Sequence, residues 1–447
     1  MSTTVSGPKG LPITGNMFAF RRDPLGYLQE MAKQHGEIVH FRFGPKRHIY
    51  LLTNPEMIKE VLVTKTEYFR KGKTLQTARA VVGDGLLTSE GQKHMRQRRL
   101  MQPAFHRDRI KEYAGTMVRL ASEMVQEWKD GEVRDIHDDM MKVTLAIITE
   151  TMFGRTVKEE ADRVGRAIEV GLKFVANKGS SFLDIPLSLP TRSNREFREA
   201  GEVLDKTIYA LIEEGRKRQG ERRTDLLSML LAARDEEDGT GMSDEQVRDE
   251  VMTIFVAGHE TTANTLSWIF YLLATHPEAE KKLHDELDEI LGNQLPTADD
   301  VPKLHYANQI VQETLRLYPA AWTLNREVVK EVEIGGHLFQ PGDTLMMSQY
   351  VMHRDPRFYE EPDKFIPERF EGDLLKRIPQ FAYFPFGGGP RICIGNNFAL
   401  MEAPLLLATI GQKYRLRLKE PGQKVEPEPL VTLRPKNGLP MRLEKRA

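Results

Sequence analysis

Cysteine occurs once in the 447 residues of this chain. A single thiol excludes an intramolecular disulfide and suits a reducing compartment. It also excludes the usual zinc and iron–sulfur sites, which draw on several cysteines or clustered histidines, whereas the twelve histidines here are scattered. Long apolar runs are missing too: no stretch of twenty apolar residues occurs, and the opening MSTTVSGPKGLPITGN carries neither a signal-peptide core nor a transmembrane anchor. The chain is therefore expected to be soluble and cytoplasmic. Neither sign of charge is in excess, with 64 Lys+Arg against 65 Asp+Glu, which argues against a general nucleic-acid binder. Length alone would allow about three domains. No Pro/Gly/Ser-rich linker or shift of composition divides the sequence, so one domain over 1–447 is expected.

The lone thiol, Cys393, lies in FGGGPRICIG, residues 386 to 395. Glycines before it and Gly395 after it suggest a turn that presents the sulfur at the mouth of a following helix, where unpaired N–H groups and the macrodipole favour an anion. Such a thiolate is expected to have a low pKa and to be a nucleophile or a metal ligand. A nucleophile needs a base, and no Cys/His hydrolase signature surrounds Cys393. A metal with a single cysteine ligand must have its other positions filled by something else, as in haem iron with four porphyrin nitrogens and an axial thiolate. The bland alternative is a small buried hydrophobe.

Phe386, Gly389, Cys393 and Gly395 match F-x-x-G-x-x-x-C-x-G, and with them the chain resembles the cytochrome P450 family from about residue 7 to its end. The resemblance implies a mainly α fold with small β-sheets and a haem b (iron protoporphyrin IX) bound through Cys393, with Phe386 and Gly395 in the cofactor loop.

From Glu37 to Thr53 apolar alternation around Gly44-Pro45-Lys46 predicts a hairpin, and Pro55 opens a helix to about Val63. Leu75 to Ser89 has no clear period and reads as a long loop of the kind that is often functional; in the family it caps the substrate pocket. Gly91 to Phe105 reads as a basic helix. Its cations could be a solvated face, but His94 and Arg98 are four apart and share one side, and the family's W/H-x-x-x-R motif binds haem propionates there. Lys93, Arg96 and Arg99 cannot all point the same way and are expected to help dock an electron donor. Helices follow to about Arg218, interrupted near 179–190 by SSFLDIPLSLP, a lid, a membrane-touching patch or simple packing. Leu226 to Ala233 is helical, and Arg234 to Asp238 a solvated connection.

Ser243 and Gln246 form a capping box, and no proline intervenes before Pro277. A helix over 244–275, about 45 Å long at 1.5 Å per residue, must cross the protein, and its apolar residues on more than one side suit burial. AGHETT, residues 257–262, places a glycine and a carboxylate at its middle, both unfavourable in a core helix. The segment resembles the family's A/G-G-x-D/E-T motif, in which the helix opens slightly; the match implies that Glu260 feeds protons and that Thr261 steadies bound dioxygen.

Beyond Pro277, which starts a polar helix carrying Glu278 and Lys282 at pairing distance, Glu313 and Arg316 stand three apart. With Pro367-Glu368-Arg369-Phe370 they match the family's E-x-x-R and P-E-R-F motifs, implying a buried network of Glu313, Arg316 and Arg369 under the haem loop. Arg326 begins a strand that turns at Gly335-Gly336; it and Arg391 fall where the family binds propionates. Leu430 to Leu433 and Met441 to Leu443 read as a terminal hairpin whose tip reaches the pocket. Pro404 is expected to bend the helix after Cys393.

The resemblance implies a monooxygenase that inserts one oxygen atom of O2 into an apolar substrate, in a pocket lined by Phe255, Ala257, Ala321, Trp322 and Val431. Electrons would come from a separate ferredoxin or flavodoxin with its reductase, since no flavin or nicotinamide domain is present. A hydrogen-peroxide-dependent peroxygenase of the same fold, or a non-catalytic haem-thiolate protein, stays open. The compound oxidised is not readable.

Overall fold

The computed structural model describes residues 5–155, 161–179, 186–218, 225–234, 239–372 and 374–446. The expectations for the 179–190 interruption and for Arg234 to Asp238 lie largely outside them. Helices dominate, arranged around Asp244–Thr275, which matches the expected bounds. Its capping box is formed: the Gln246 N–H donates to the Ser243 hydroxyl at 3.2 Å, and the Ser243 N–H to the Gln246 side chain at 3.3 Å. Val251, Phe255, Leu266, Trp268 and Ile269 are fully buried on different sides of it, so this helix is core all round. It packs most extensively on Ile136–Phe153. At Gly258 a Cβ would stand 2.6 Å from the Ile148 side chain, so glycine here lets two helices approach, which offsets its propensity cost of about 1 kcal/mol.

A five-stranded sheet lies to one side, in the order Ile38–Phe43, Arg47–Leu52, Thr344–Met347, Leu324–Val328, Phe69–Lys71. The first pair is the expected hairpin, with Ile38 opposite Leu52. The last pair runs antiparallel and sets Lys71 directly opposite Arg326. The strand of Arg326 ends at Val328, and the turn at Gly335-Gly336 joins two other strands, Val332–Ile334 and His337–Phe339, in a separate two-stranded sheet, so the expected single strand is two.

Four further details differ from expectation. Lys73–Val82 is a helix rather than loop, and only 83–90 is irregular. Ala78 and Val82 are buried on one face, a stripe too thin among polar neighbours to stand out, and Gly83 at φ +70 ends the helix. At the C-terminus, Pro427–Pro429 pairs with Leu433–Pro435, while Pro440–Lys445 leaves to join Val133–Asp135 and Tyr414–Leu418. The hairpin is thus shorter and its tip is 430–432. Lys282 reaches Glu368 at 2.6 Å rather than Glu278. The helix Asn396–Gly411 runs unbroken through Pro404; the ring removes one donor from a helix whose other contacts keep it intact.

Candidate functional site

The cysteine loop is shaped by close backbone contacts. The Cys393 N–H donates to the Phe386 carbonyl at 3.0 Å, closing the turn. Gly389 has φ +65, and a Cβ there would lie 1.9 Å from the Leu62 carbonyl oxygen, so the loop is keyed onto the turn Glu60–Thr64. Gly395 caps Asn396–Gly411, which leaves Cys393 two residues ahead of the cap. Burial pushes its thiol pKa up, against the Gly395 N–H and the Arg98 guanidinium, which pull it down. This corrects the expected low pKa: desolvation outweighs the helix terminus.

Cations converge beside it. His94 and Arg98 lie on Gly91–Met101, and Arg98 donates to the Ile392 carbonyl at 2.7 Å, tying that helix to the cysteine loop. His94 is buried, and desolvation followed by Arg391, Lys71 and Arg98 pushes its pKa down to about 3. Burial and then Arg391 lower Arg326 to about 10. Lys71, which sequence reading missed, is lowered to about 6 by burial and then by Arg391. Arg391 donates to the Ser89 carbonyl at 2.7 Å and pairs with Glu90; Glu90 also accepts the Lys71 N–H at 2.7 Å. Lys71 faces Arg326 with His94, Arg98 and Arg391 around them, and its Nζ donates to the Leu86 and Leu87 carbonyls; mutual repulsion and burial lower the pKa values of this group, and an anion of several oxygens would restore its charge. Alternation in the strand FRK, which turns Phe69 and Lys71 inward and Arg70 outward, is the signal that could have found Lys71. A flat macrocycle carrying carboxylates, with its metal at Cys393, fits this donor set.

The other side of the cleft is apolar. A cavity of about 950 Å³ is lined by Val82, Leu87, Ile168, Val256, Ala257, Ala321, Trp322 and Val431, with Glu260 and Thr261 on its wall. Phe255 is not among the lining residues. It packs at 6.2 Å on Phe153, because a helix turns about 100° per residue and Val256 takes the place facing the cavity. The Thr261 hydroxyl donates to the Ala257 carbonyl at 2.9 Å, and the helix continues through AGHETT without a break. Glu260 is 4% exposed. Burial pushes its pKa up to about 7, against a hydrogen bond from the Thr432 hydroxyl at 2.8 Å.

Glu313 and Arg316 are both fully buried. Arg316 donates twice to the Glu313 carboxylate at 2.7 Å and gives its other N–H groups to the carbonyls of His353, Pro362 and Lys364. Arg369 adds a contact at 3.3 Å and the Ile366 N–H one at 2.9 Å. Two further buried carboxyls escaped the sequence reading. Glu250 accepts the Leu86 N–H at 2.8 Å, holding the 83–90 segment, and Glu402 faces Thr262 from Asn396–Gly411, its oxygens lacking a well-formed hydrogen bond among the described residues. Of the cations assigned to the donor surface, Lys93 pairs with Asp84 at 2.7 Å and Arg96 donates to the Thr240 hydroxyl at 3.1 Å.

Residues 5–441 match the family model described as Cytochrome P450. The chain is 37% identical over 416 residues to cyclooctat-9-en-7-ol 5-monooxygenase of Streptomyces melanosporofaciens, covering 93% of this chain and 90% of that one. It is 36% identical over 427 residues to cyclooctatin synthase of the same organism, covering 95% and 92%. Pentalenene oxygenase of Streptomyces avermitilis is 36% identical over 448 residues, covering 99% and 98%. The chain belongs to the cytochrome P450 family. It is a haem-thiolate monooxygenase, an oxidoreductase that inserts oxygen from O2 into an apolar organic substrate with electrons from redox partners. Among the described residues no helix is long and apolar enough to cross a membrane.

Proposed function

We propose that Cys393 is the axial ligand of haem b in a single cytoplasmic domain, with Phe386 and Gly395 shaping its loop and His94, Arg98, Arg326, Arg391 and Lys71 taking the propionates. The observation that carries this reading is the convergence of five basic side chains beside the only thiol, with an apolar cavity across the cleft. When bound, the haem supplies the dioxygen chemistry by which one oxygen atom enters a C–H or C=C bond of the substrate.

The chain's own residues do the rest. Glu260 holds a proton at its carboxyl; with a pKa near 7 it can take and release one at neutral pH. Thr261 offers a hydroxyl on the cavity wall, already oriented by the Ala257 carbonyl. Val256, Ala257, Ala321, Trp322 and Val431 exclude water and orient an apolar substrate. Glu313, Arg316 and Arg369 fix the segment that carries the cysteine loop. The substrate is a polycyclic terpenoid, which the names of the relatives and the apolar lining support. A ferredoxin or flavodoxin docks on the proximal side, where Met95, Arg98, Arg99, His106 and Arg109 surround a surface hollow together with Asp108 and Glu112, which pair with His106 and Arg109. Charge steering there is carried by the cations of the helix Gly91–Met101, among them Lys93, Arg96 and Arg99.

The reduced, carbon-monoxide-bound spectrum of wild type and Cys393→Ser tests the ligand. The red-shifted thiolate Soret band should vanish in the variant while the fold persists, and an unchanged spectrum would refute the assignment. Spectral titration with cyclic terpenes against fatty acids tests the substrate class; tighter binding of the fatty acids would overturn it.

A further inference from the structure

The C-terminal hairpin is fixed more firmly than a pocket loop requires. The Trp268 indole donates to the Leu433 carbonyl at 3.1 Å, the Trp322 indole to the Leu430 carbonyl at 2.9 Å, and the Leu433 N–H to the Ala320 carbonyl at 2.9 Å. Between these anchors stands Thr432, buried, with its hydroxyl donating to Glu260 Oε1 at 2.8 Å. A hydroxyl has one proton to give, so its oxygen is left to accept, and it accepts from the Asn264 Nδ2 at 3.2 Å. Asn264 is fully buried on the same helix as Glu260, and its Oδ1 has no hydrogen-bond partner among the described residues. A buried amide oxygen left unpaired costs stability, and this one belongs to the residue that ends the chain of bonds.

We propose that Thr432 and Asn264 are positioning residues for Glu260, a hydrogen-bond chain that holds its carboxyl in one place in both protonation states by reversing direction. With Glu260 ionised, the bonds run from the Asn264 amide N–H to the Thr432 oxygen and from the Thr432 O–H to the carboxylate. With Glu260 protonated, its O–H donates to the Thr432 oxygen. The Thr432 O–H then turns to the amide, which flips to present Oδ1. No group other than Glu260 gains or loses a proton. The unpaired oxygen is the acceptor that this second arrangement uses, and a valine or leucine at either position would block both.

Charged groups around Glu260 set the background to its titration. Arg434, three residues from the hairpin tip on the strand Leu433–Pro435, favours the carboxylate, and Glu169 on Ala161–Gly179 disfavours it. These two are themselves paired at 3.3 Å, with Glu428 on Arg434 at 2.7 Å and Lys173 on Glu169 at 2.8 Å. His259 precedes Glu260 on the helix and bonds the Phe255 carbonyl at 2.9 Å. Among the described residues none of them hydrogen-bonds Thr432, so removing the Thr432 hydroxyl leaves this background in place.

The inference rests on the reading that Glu260 handles protons, and the test separates the two. In the haem-loaded enzyme, the carboxyl C=O stretch of Glu260, assigned by its loss in Glu260→Gln, is followed by infrared difference spectroscopy against pH. Thr432→Val removes the stronger bond to the carboxylate and the weaker one from the neutral carboxyl, so the midpoint should rise by their difference, about one pH unit. Thr432→Ser should restore it to near wild type, and Asn264→Leu should move it in the same direction as the valine variant. Should Thr432→Val fail to fold, Thr432→Ala makes the same deletion without the branched side chain. An unmoved midpoint in the valine or alanine variant overturns the proposal. A raised midpoint supports it, whether or not hydrogen peroxide release rises; raised without any change in peroxide release, it keeps the chain of bonds and removes Glu260 from proton delivery.

Discussion

The two sides of the molecule bury carboxylates in opposite ways. Beneath the cysteine loop, Glu313 is saturated: Arg316 grips both its oxygens, and Arg369 and the Ile366 N–H complete the shell. Around the central helix the carboxyls are left partly open. Glu250 has one bonded oxygen and one bare, Glu260 one neutral donor, and Glu402 only the nearby Thr262 hydroxyl. Burial pushes Glu250 and Glu402 up to about 8 and Glu260 to about 7. A saturated carboxylate serves as scaffold because it has no cheap alternative state, while an under-bonded one can exchange a proton near neutrality. The side under the cysteine loop is built from the first kind, and the side for which we propose proton handling from the second.

The hardest way to break this contrast is to open the saturated side. Arg316→Ala leaves the Glu313 charge buried without its main partner and should cost about 3–5 kcal/mol, read as a fall in the urea midpoint together with poor haem retention. A loss under about 1 kcal/mol, the range of exposed pairs, would mean that Glu313 is not a scaffold.

Glu402 sharpens the other half. Its folded pKa of about 8 stands above the ordinary 4.5, so between those values the folded chain keeps a proton that the unfolded chain releases. The stabilisation is fully present below the unfolded value and is lost as pH rises through the folded one, with a slope of about 1.4 kcal/mol per pH unit between them. Glu402→Gln removes that contribution. Urea unfolding of both proteins across the interval should show a flatter pH dependence in the variant, and parallel curves would contradict the under-bonded state.

Within the open group, Thr261→Ala should keep consuming reductant while a larger fraction appears as hydrogen peroxide, with a fall of about tenfold or more in coupled product. Full coupling in that variant would take Thr261 out of the reaction. The smallest effect belongs to the exposed surface, where neither kind of burial operates. Arg99→Glu should slow reduction by an acidic donor protein about threefold to tenfold at low salt, and the gap should close as salt rises. Stopped-flow rates that match wild type at every ionic strength would move the docking site elsewhere.

Sequence alone made the long helix and the cysteine loop legible because each is written in local terms: a capping box, an absence of proline, glycines at fixed offsets. Glu313, Arg316 and Arg369 were found only through the resemblance, since two charges three residues apart read equally well as a surface pair. Lys71, Thr432 and Asn264 stayed hidden because their significance lies in what they face. Lys71 meets Arg326 across a strand register spanning more than 250 residues of chain, and Thr432 meets Glu260 from the far C-terminal hairpin. Phe255 was misplaced for a simpler reason: on a helix buried all round, apolarity does not say which side faces the cavity.

Cys393 is the one thiol in the chain, which gives any preparation an internal count. A colorimetric thiol reagent should find one equivalent per chain in cofactor-free protein and none once the sulfur is bound to iron. The fraction of loaded enzyme can then be read by titration, without recourse to haem absorbance, and corrected for in every turnover number measured on this protein.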